Sequence, residues 1–259
     1  MPQLIYHDYF WILMATSFMT SVVSASVGFL GGTILLAVMA QFLPPEVLIP
    51  VHGLVQLWAN STRAAFLIKD IQWRIVGHYA GGTLLGSLIA SQFVLKIPEA
   101  IYNIGLGYII LVLTLAKREV WSKFFVASTS GNFRFLNKWA LTGFVASFVG
   151  LFVGAIGILV GSVFLTEKNL EKKMMVGTQA VCQALVHLAK IVVFVYLGFH
   201  IGPWLGLLSG LIFTTLAGSF FGTRILDKIP QDLFVTIFRM VIIILATRLI
   251  LIGVNYLMW

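Results

Sequence analysis

Apolar residues fill most of the chain in long runs, which short polar segments interrupt. Eight apolar runs can be read from the sequence, and the longest polar connection, residues 117–138, falls near the middle. The runs cover residues 9–42, 47–68, 75–95, 100–116, 139–165, 174–199, 202–223 and 233–256. A helix needs roughly 20 mostly apolar residues to cross the hydrocarbon of a bilayer. The pattern therefore predicts an all-α, polytopic membrane protein with eight apolar segments.

The composition supports a membrane location. Hydrophobic residues make up 59% of the chain and charged residues only 10%, whereas soluble domains carry about 25% charged residues. The net charge of +8 would indicate nucleic acid in a soluble protein, but here the basic residues sit between apolar runs. Such a distribution is typical of cytoplasmic loops facing acidic headgroups. We expect a multi-pass protein of the bacterial inner (plasma) membrane, with the lipid bilayer and no nucleic acid as partner.

The two halves of the chain resemble each other. Gly86-Ser87 and Gly218-Ser219 each lead to a Lys-Ile-Pro sequence at the same spacing, and Val27-Gly28 corresponds to Val153-Gly154. Internal duplication is common in transporter folds. The sequence predicts a first transmembrane repeat at residues 1–116, a cytoplasmic linker at 117–138 and a second repeat at 139–259.

The distribution of basic residues favours an inverted arrangement of the repeats. If all eight runs cross the membrane, the loop lysines and arginines divide seven against six, which violates the positive-inside tendency. If runs 9–42 and 139–165 instead enter and leave on one face, the division becomes twelve against Lys96 alone. We therefore expect a broken or re-entrant first segment in each half, with inverted repeats. The alternative is that both runs are long spanning helices.

The second apolar run of each half carries polar residues along one helix face. Their spacing is i, i+4, i+8 and i+11, which forms a single stripe. The stripes are His52, Gln56, Asn60 and Arg63 in the first half and Gln179, Gln183, His187 and Lys190 in the second. At about 1.5 Å per residue, the central glutamines lie near the bilayer midplane, where inverted-repeat transporters tend to bind substrate.

The charges available to these stripes favour a small anionic substrate. All nine acidic residues lie in loops or at segment edges, whereas basic and amide groups occur inside the apolar runs. Arginine and lysine donate charge-assisted hydrogen bonds to oxyanions, so the eight stripe residues are the predicted substrate site. His52 and His187 are the candidate proton carriers if transport is proton-coupled. Two bland alternatives remain: Arg63 could extend to the cytoplasmic surface, and the amides and histidines could simply join neighbouring helices.

Glycine clusters mark the centre of each predicted broken segment. The helix-break glycines are Gly28, Gly31 and Gly32 in the first half and Gly154 and Gly157 in the second. A broken helix exposes unpaired N–H groups and a partial positive charge at its next N-terminus, which attracts anions. Close helix packing would use the same glycines.

Several of these motifs resemble the TauE/SafE sulfite exporter family, also called the toluene-sulfonate uptake permeases. The resemblance rests on Ser26-Val27-Gly28-Phe29-Leu30-Gly31-Gly32, Pro44-Pro45, Ala59-Asn60-Ser61-Thr62-Arg63, Asp70-Ile71-Gln72-Trp73-Arg74, Gly177-Thr178-Gln179-Ala180 and His187-Leu188-Ala189-Lys190. It implies transport of sulfite, sulfonates or related organic anions, commonly as export. The chain departs from the family pattern at Phe29-Leu30 and at Ile158, where further glycine is frequent, which bears on the size and identity of the ligand.

The sequence thus predicts a secondary transporter of small anions with no catalytic residues, no metal and no cofactor. The chain could also pair as a homodimer. Rival interpretations are an anion channel, an organic-acid permease without sulfur specificity, an intramembrane enzyme and a scaffold. The enzyme is disfavoured because Ser87 and Ser219 lack a histidine partner repeated in both halves.

Overall fold

The structure is a computed structural model that describes residues 9–27, 31–93, 97–115, 137–154, 156–164, 167, 170–225 and 231–258. This part of the chain contains ten α-helices and two short 3₁₀ turns. The α-helices are α1 (Phe10–Val27), α2 (Gly31–Met39), α3 (Pro45–Phe66), α4 (Trp73–Ser91), α5 (Glu99–Leu115), α6 (Lys138–Val153), α7 (Gly157–Phe164), α8 (Lys172–Tyr196), α9 (Leu205–Ile225) and α10 (Gln231–Met258). Most of the predicted linker, and Gly28, lie outside the described residues.

Two of the predicted apolar segments each contain a pair of helices. Run 9–42 divides into α1 and α2, and run 139–165 divides into α6 and α7. Each of the other six runs corresponds to one long helix. In the second half, α6 ends at Val153, Gly154 has a φ of 81°, and α7 begins at Gly157. A positive φ of this size is readily adopted only by glycine, so Gly154 is suited to the change of direction.

Both helix pairs fold back on themselves. Tyr9, just before α1, stacks on Phe42, just after α2, with ring centroids 4.2 Å apart. In the second pair, Lys138 at the start of α6 forms an ion pair with Glu167, which follows α7. The start and the end of each pair therefore lie side by side, and we refer to α1–α2 and α6–α7 as the two hairpins.

Helices α3 and α8 lie antiparallel at the centre of the molecule. Helix α3 begins abruptly at Pro45. Pro44 before it is extended, and Pro45 occupies the first turn, where its missing N–H costs nothing. Near the start of α3, Gly53 packs against the side chain of Lys190, and just beyond its end Leu67 packs against Gly177. This register brings the middle of the first polar stripe level with the middle of the second.

The remaining contacts between the halves are reciprocal. Helix α4 packs against α6, α9 packs against α1, and α5 packs against α10. The α4–α6 contact is close because Gly82, Gly86 and Gly143 each lie directly against the backbone of the other helix. The α1–α9 contact instead includes a hydrogen bond of 2.7 Å between the hydroxyls of Ser17 and Thr215. In a duplicated chain, a helix of each half would pack against the corresponding partner helix of the other half, as α4 with α6 and α9 with α1 do here. The duplication itself stays a prediction.

Apolar helices long enough to cross a membrane occur in the described part of the chain. Three qualify by length and composition: Lys173–Tyr196, Gly202–Gly222 and Arg239–Met258. Shorter apolar helices cover Phe10–Val22, Glu99–Val112 and Lys138–Val153. Many large apolar side chains on the long helices, such as Leu251 and Phe213, point outward and are exposed. An outward-facing apolar surface of this kind suits contact with lipid.

Candidate functional site

A polar pocket lies where the hairpins meet the two central helices. It holds about 330 Å³ of empty space, counting the part that opens to solvent. Its lining comes from both hairpins and from α3 and α8. The lining residues are Ser24, Gly32, Thr33, His52, Gln56, Asn60, Arg63, Ile156, Gly157, Gln183 and His187. Six of the eight predicted substrate-binding residues therefore meet in one place.

All four residues of the α3 stripe line this pocket. His52 and Asn60 are almost fully buried. The Nε2 of His52 lies 2.9 Å from the carbonyl oxygen of Gly32, which fixes the ring against the second helix of the first hairpin. Asn60 donates from Nδ2 to the carbonyl oxygen of Gln56 at 2.9 Å. Arg63 also contributes to the pocket wall.

Only the middle two residues of the α8 stripe, Gln183 and His187, line the pocket. Lys190 is fully buried, and its Nζ donates to the carbonyl oxygen of Gly154 at 2.9 Å. The same Nζ lies 3.4 Å from Nδ1 of His187. Gln179 is buried nearer the start of α8 and is absent from the pocket lining. Lys190 therefore contacts the turn of the second hairpin at Gly154 and lies against His187 on the side away from the pocket lining.

The predicted helix-break glycines do not all lie at the pocket. Gly32 and Gly157 line the pocket, at the first turns of α2 and α7. Gly31 packs against Ser24 and the backbone of Thr20, so a side chain there would not fit. Gly154 forms the turn that Lys190 holds. The first N–H groups of a helix have no partner within the helix, so two helix N-termini border the same pocket.

The pocket is rich in hydrogen-bond donors. Its described lining includes one guanidinium, two imidazoles and three carboxamides, and none of these lining residues carries a carboxylate. Nδ1 of His52 and Nε2 of Gln183 belong to two residues of the lining and are buried without a hydrogen-bond partner in the structure. Buried polar atoms are usually paired. Five other buried side-chain atoms of the described residues are also unpaired, Nε2 of Gln179 among them, so an unpaired atom does not by itself mark the pocket.

The family of the chain follows from a comparison with known proteins. The family model described as sulfite exporter TauE/SafE matches residues 13–249 of the 259. The chain belongs to the TauE/SafE family. This is a family of membrane transporters and not of enzymes, which agrees with the sequence prediction. Neither the curated proteins nor the solved structures include a match.

Sequence reasoning missed three lining residues of this TauE/SafE chain: Ser24, Thr33 and Ile156. Thr33 directly follows the Gly31-Gly32 pair, so its place in the first turn of α2 was available as a signal. Ser24 and Ile156 gave no comparable signal, because serine and isoleucine are ordinary in apolar helices. Arg248 lies outside the site and donates to Oε1 of Gln41 at 2.5 Å.

Proposed function

We propose that the pocket is the substrate site of a secondary transporter for small anions, with sulfite or an organosulfonate as substrate and export as the direction. The observation that carries the proposal is the make-up of the lining. A guanidinium, several amides and two helix N-termini converge on one cavity whose described wall contains no carboxylate. Helix N-termini and arginine are established partners of oxyanions.

In this proposal Arg63 supplies the positive charge that attracts the anion. Gln56, Asn60 and Gln183 orient its oxygens, because carboxamide N–H groups are directional donors. Gly32 and Gly157 let the backbone of α2 and α7 approach the ligand closely. Lys190 acts from outside the cavity by holding Gly154 and His187.

The two hairpins are proposed to be re-entrant, so that the halves cross the membrane in opposite directions and both chain termini face outward. Contact of Tyr9 with Phe42, and of Lys138 with Glu167, supports this topology, because each hairpin returns to the level from which it started. The distribution of basic residues favours the same topology. Alternating access would then move one half against the other around a central site. The bacterial inner membrane is the proposed location.

Flux in proteoliposomes tests the function. Purified protein should take up labelled sulfite or a sulfonate with saturation, and Arg63→Gln should reduce kcat/KM by about 100-fold because a desolvated charge contact is lost. Arg74→Gln is the matched control: Arg74 is an exposed arginine at the start of α4, outside the pocket. Labelled simple carboxylates measure sulfur specificity in the same assay. Unsaturated flux would instead identify a channel, and equal flux in protein-free liposomes would refute transport.

A further inference from the structure

One residue of the pocket wall differs chemically from the others. Among the described residues that line the pocket, Ile156 alone has a side chain made only of carbon and hydrogen. The first hairpin contributes the hydroxyl residues Ser24 and Thr33 to the wall, whereas the second hairpin contributes Ile156. The oxygens of an anion find no side-chain donor at Ile156, and burying them there unpaired is costly. This part of the wall therefore suits the part of a ligand that carries no charge.

Packing holds Ile156 in place. Its carbonyl oxygen accepts from the N–H of Val160 at 3.0 Å, which fixes its backbone at the start of α7. Its side chain is almost fully buried and belongs to an apolar cluster that includes Val186 and Phe164. On α6, a Cβ at Gly150 would lie only 3.2 Å from Cγ2 of Ile156, so the helix comes close to this side chain. Closely packed interiors accept added volume poorly, and Ile156 therefore cannot retreat before a larger ligand.

The size of the pocket makes each wall residue important. Ligand pockets usually enclose roughly 300–1,000 Å³. The present one holds about 330 Å³ even when the part that opens to solvent is counted. Such a space suits a small solute, and a side chain that closes one side of it limits the length of that solute.

From the position and packing of Ile156 we infer that this residue sets the size limit for the organic group of the transported anion. The inference rests on the proposed transport function. The oxygens of the anion accept from Arg63 and the carboxamides, and any group on sulfur lies against Ile156. Sulfite has no such group and methanesulfonate has a single methyl, so both fit. Each further carbon presses on a wall that does not yield.

Competition in proteoliposomes tests the inference. Unlabelled methanesulfonate and butanesulfonate, which share one charged group and differ in chain length, compete with labelled sulfite for uptake by the full-length protein. For the wild-type protein we expect butanesulfonate to inhibit about tenfold less strongly than methanesulfonate, because its chain meets Ile156. In Ile156→Ala the difference should largely disappear, because the truncated side chain leaves space beside the pocket.

Two further variants separate a size limit from a general loss of packing. Leu159→Ala removes the same number of carbons from a buried residue of α7 in the same apolar cluster, outside the pocket lining. It should keep the wild-type difference between the two sulfonates. Ile156→Val is a milder truncation, which should reduce the difference part-way even if Ile156→Ala does not fold.

The outcomes distinguish this inference from the proposed function. Equal inhibition by both sulfonates in the wild-type protein would overturn the size limit, and so would an unchanged difference in the Ile156 variants or an equal change in Leu159→Ala. Inhibition by neither sulfonate in any variant would also overturn it. In each of these cases saturable uptake of sulfite would leave the proposed function standing. Absence of sulfite uptake by the wild-type protein would count against the proposed function itself.

Discussion

The polar stripes of α3 and α8 have the same spacing but different surroundings. Every member of the α3 stripe lines the pocket, including its terminal cation, Arg63. In the α8 stripe the terminal cation, Lys190, is fully buried and bonded to the carbonyl oxygen of Gly154. The two cations occupy matched positions in sequence, yet one faces the cavity and the other holds the turn of a hairpin.

The difference shows how a buried cation is used in an apolar setting. A buried ammonium needs partners to offset its desolvation, and a carbonyl at a helix end without an intrahelical partner is a suitable one. Lys190 finds such a carbonyl at Gly154, where the second hairpin turns. Arg63 presents a planar group with five donors, which is the better shape for an oxyanion. In the proposed function, Arg63 would therefore bind the anion and Lys190 would support the fold.

Replacing the terminal cation of each stripe in turn should give the largest difference between the two stripes. Arg63→Gln should lower kcat/KM for the transported anion by about 100-fold with little change in the thermal unfolding midpoint. Lys190→Gln should also lower transport, but it should lower the free energy of unfolding by about 1–3 kcal/mol as well, because it disturbs the bond to the Gly154 carbonyl. Thermal unfolding in detergent and flux in proteoliposomes give the two readings. Equal unfolding midpoints for the two variants would contradict separate roles.

The sequence predicted the face of each stripe but not the reach of its side chains. Spacing of 3.6 residues per turn fixes which residues share a face, and on α3 this was sufficient. On α8 it could not show that Lys190 would reach Gly154, because that contact joins residues 36 positions apart. The hairpins were predictable in part, from glycine clusters and the distribution of basic residues. The pairing of Tyr9 with Phe42 was not, because it depends on packing between helices.

Disturbing the turn that Lys190 holds should act mainly on stability. In Gly154→Ala the new methyl group would lie about 2.8 Å from Leu36 and the residue would keep a φ of 81°. Such a conformation costs a non-glycine residue about 1–3 kcal/mol, so the unfolding midpoint should fall. Gly105→Ala is the matched control, because that position in α5 has open space and alanine favours a helix. A fall of the same size in both variants would rule out a special role for the Gly154 turn.

Two glutamines on α8 separate pocket residues from other buried polar residues. Gln183 and Gln179 are one turn apart, and each has a buried Nε2 without a partner in the structure, but only Gln183 lines the pocket. Gln183→Leu should raise KM for the anion by about tenfold, because one donor to the ligand is lost. Gln179→Leu should raise it far less. Uptake measured over a range of anion concentrations gives both KM values. Equal increases in KM would mean that the site extends towards the start of α8.

The smallest expected effects come from adding one methyl group beside each stripe. A Cβ at residue 32 would lie 3.1 Å from the carboxamide of Gln56, and a Cβ at residue 53 would lie 3.1 Å from Cδ of Lys190. Gly32→Ala should shift that carboxamide by a few tenths of an ångström and raise KM by about threefold, since small misplacements of positioning groups reduce rates measurably. Gly53→Ala presses instead on the stem of Lys190, so it should lower the unfolding midpoint with a smaller change in KM. The two substitutions add the same group at the same distance from a side chain. If Gly53→Ala instead raised KM and Gly32→Ala instead lowered the unfolding midpoint, Lys190 would bind the anion and Gln56 would support the fold.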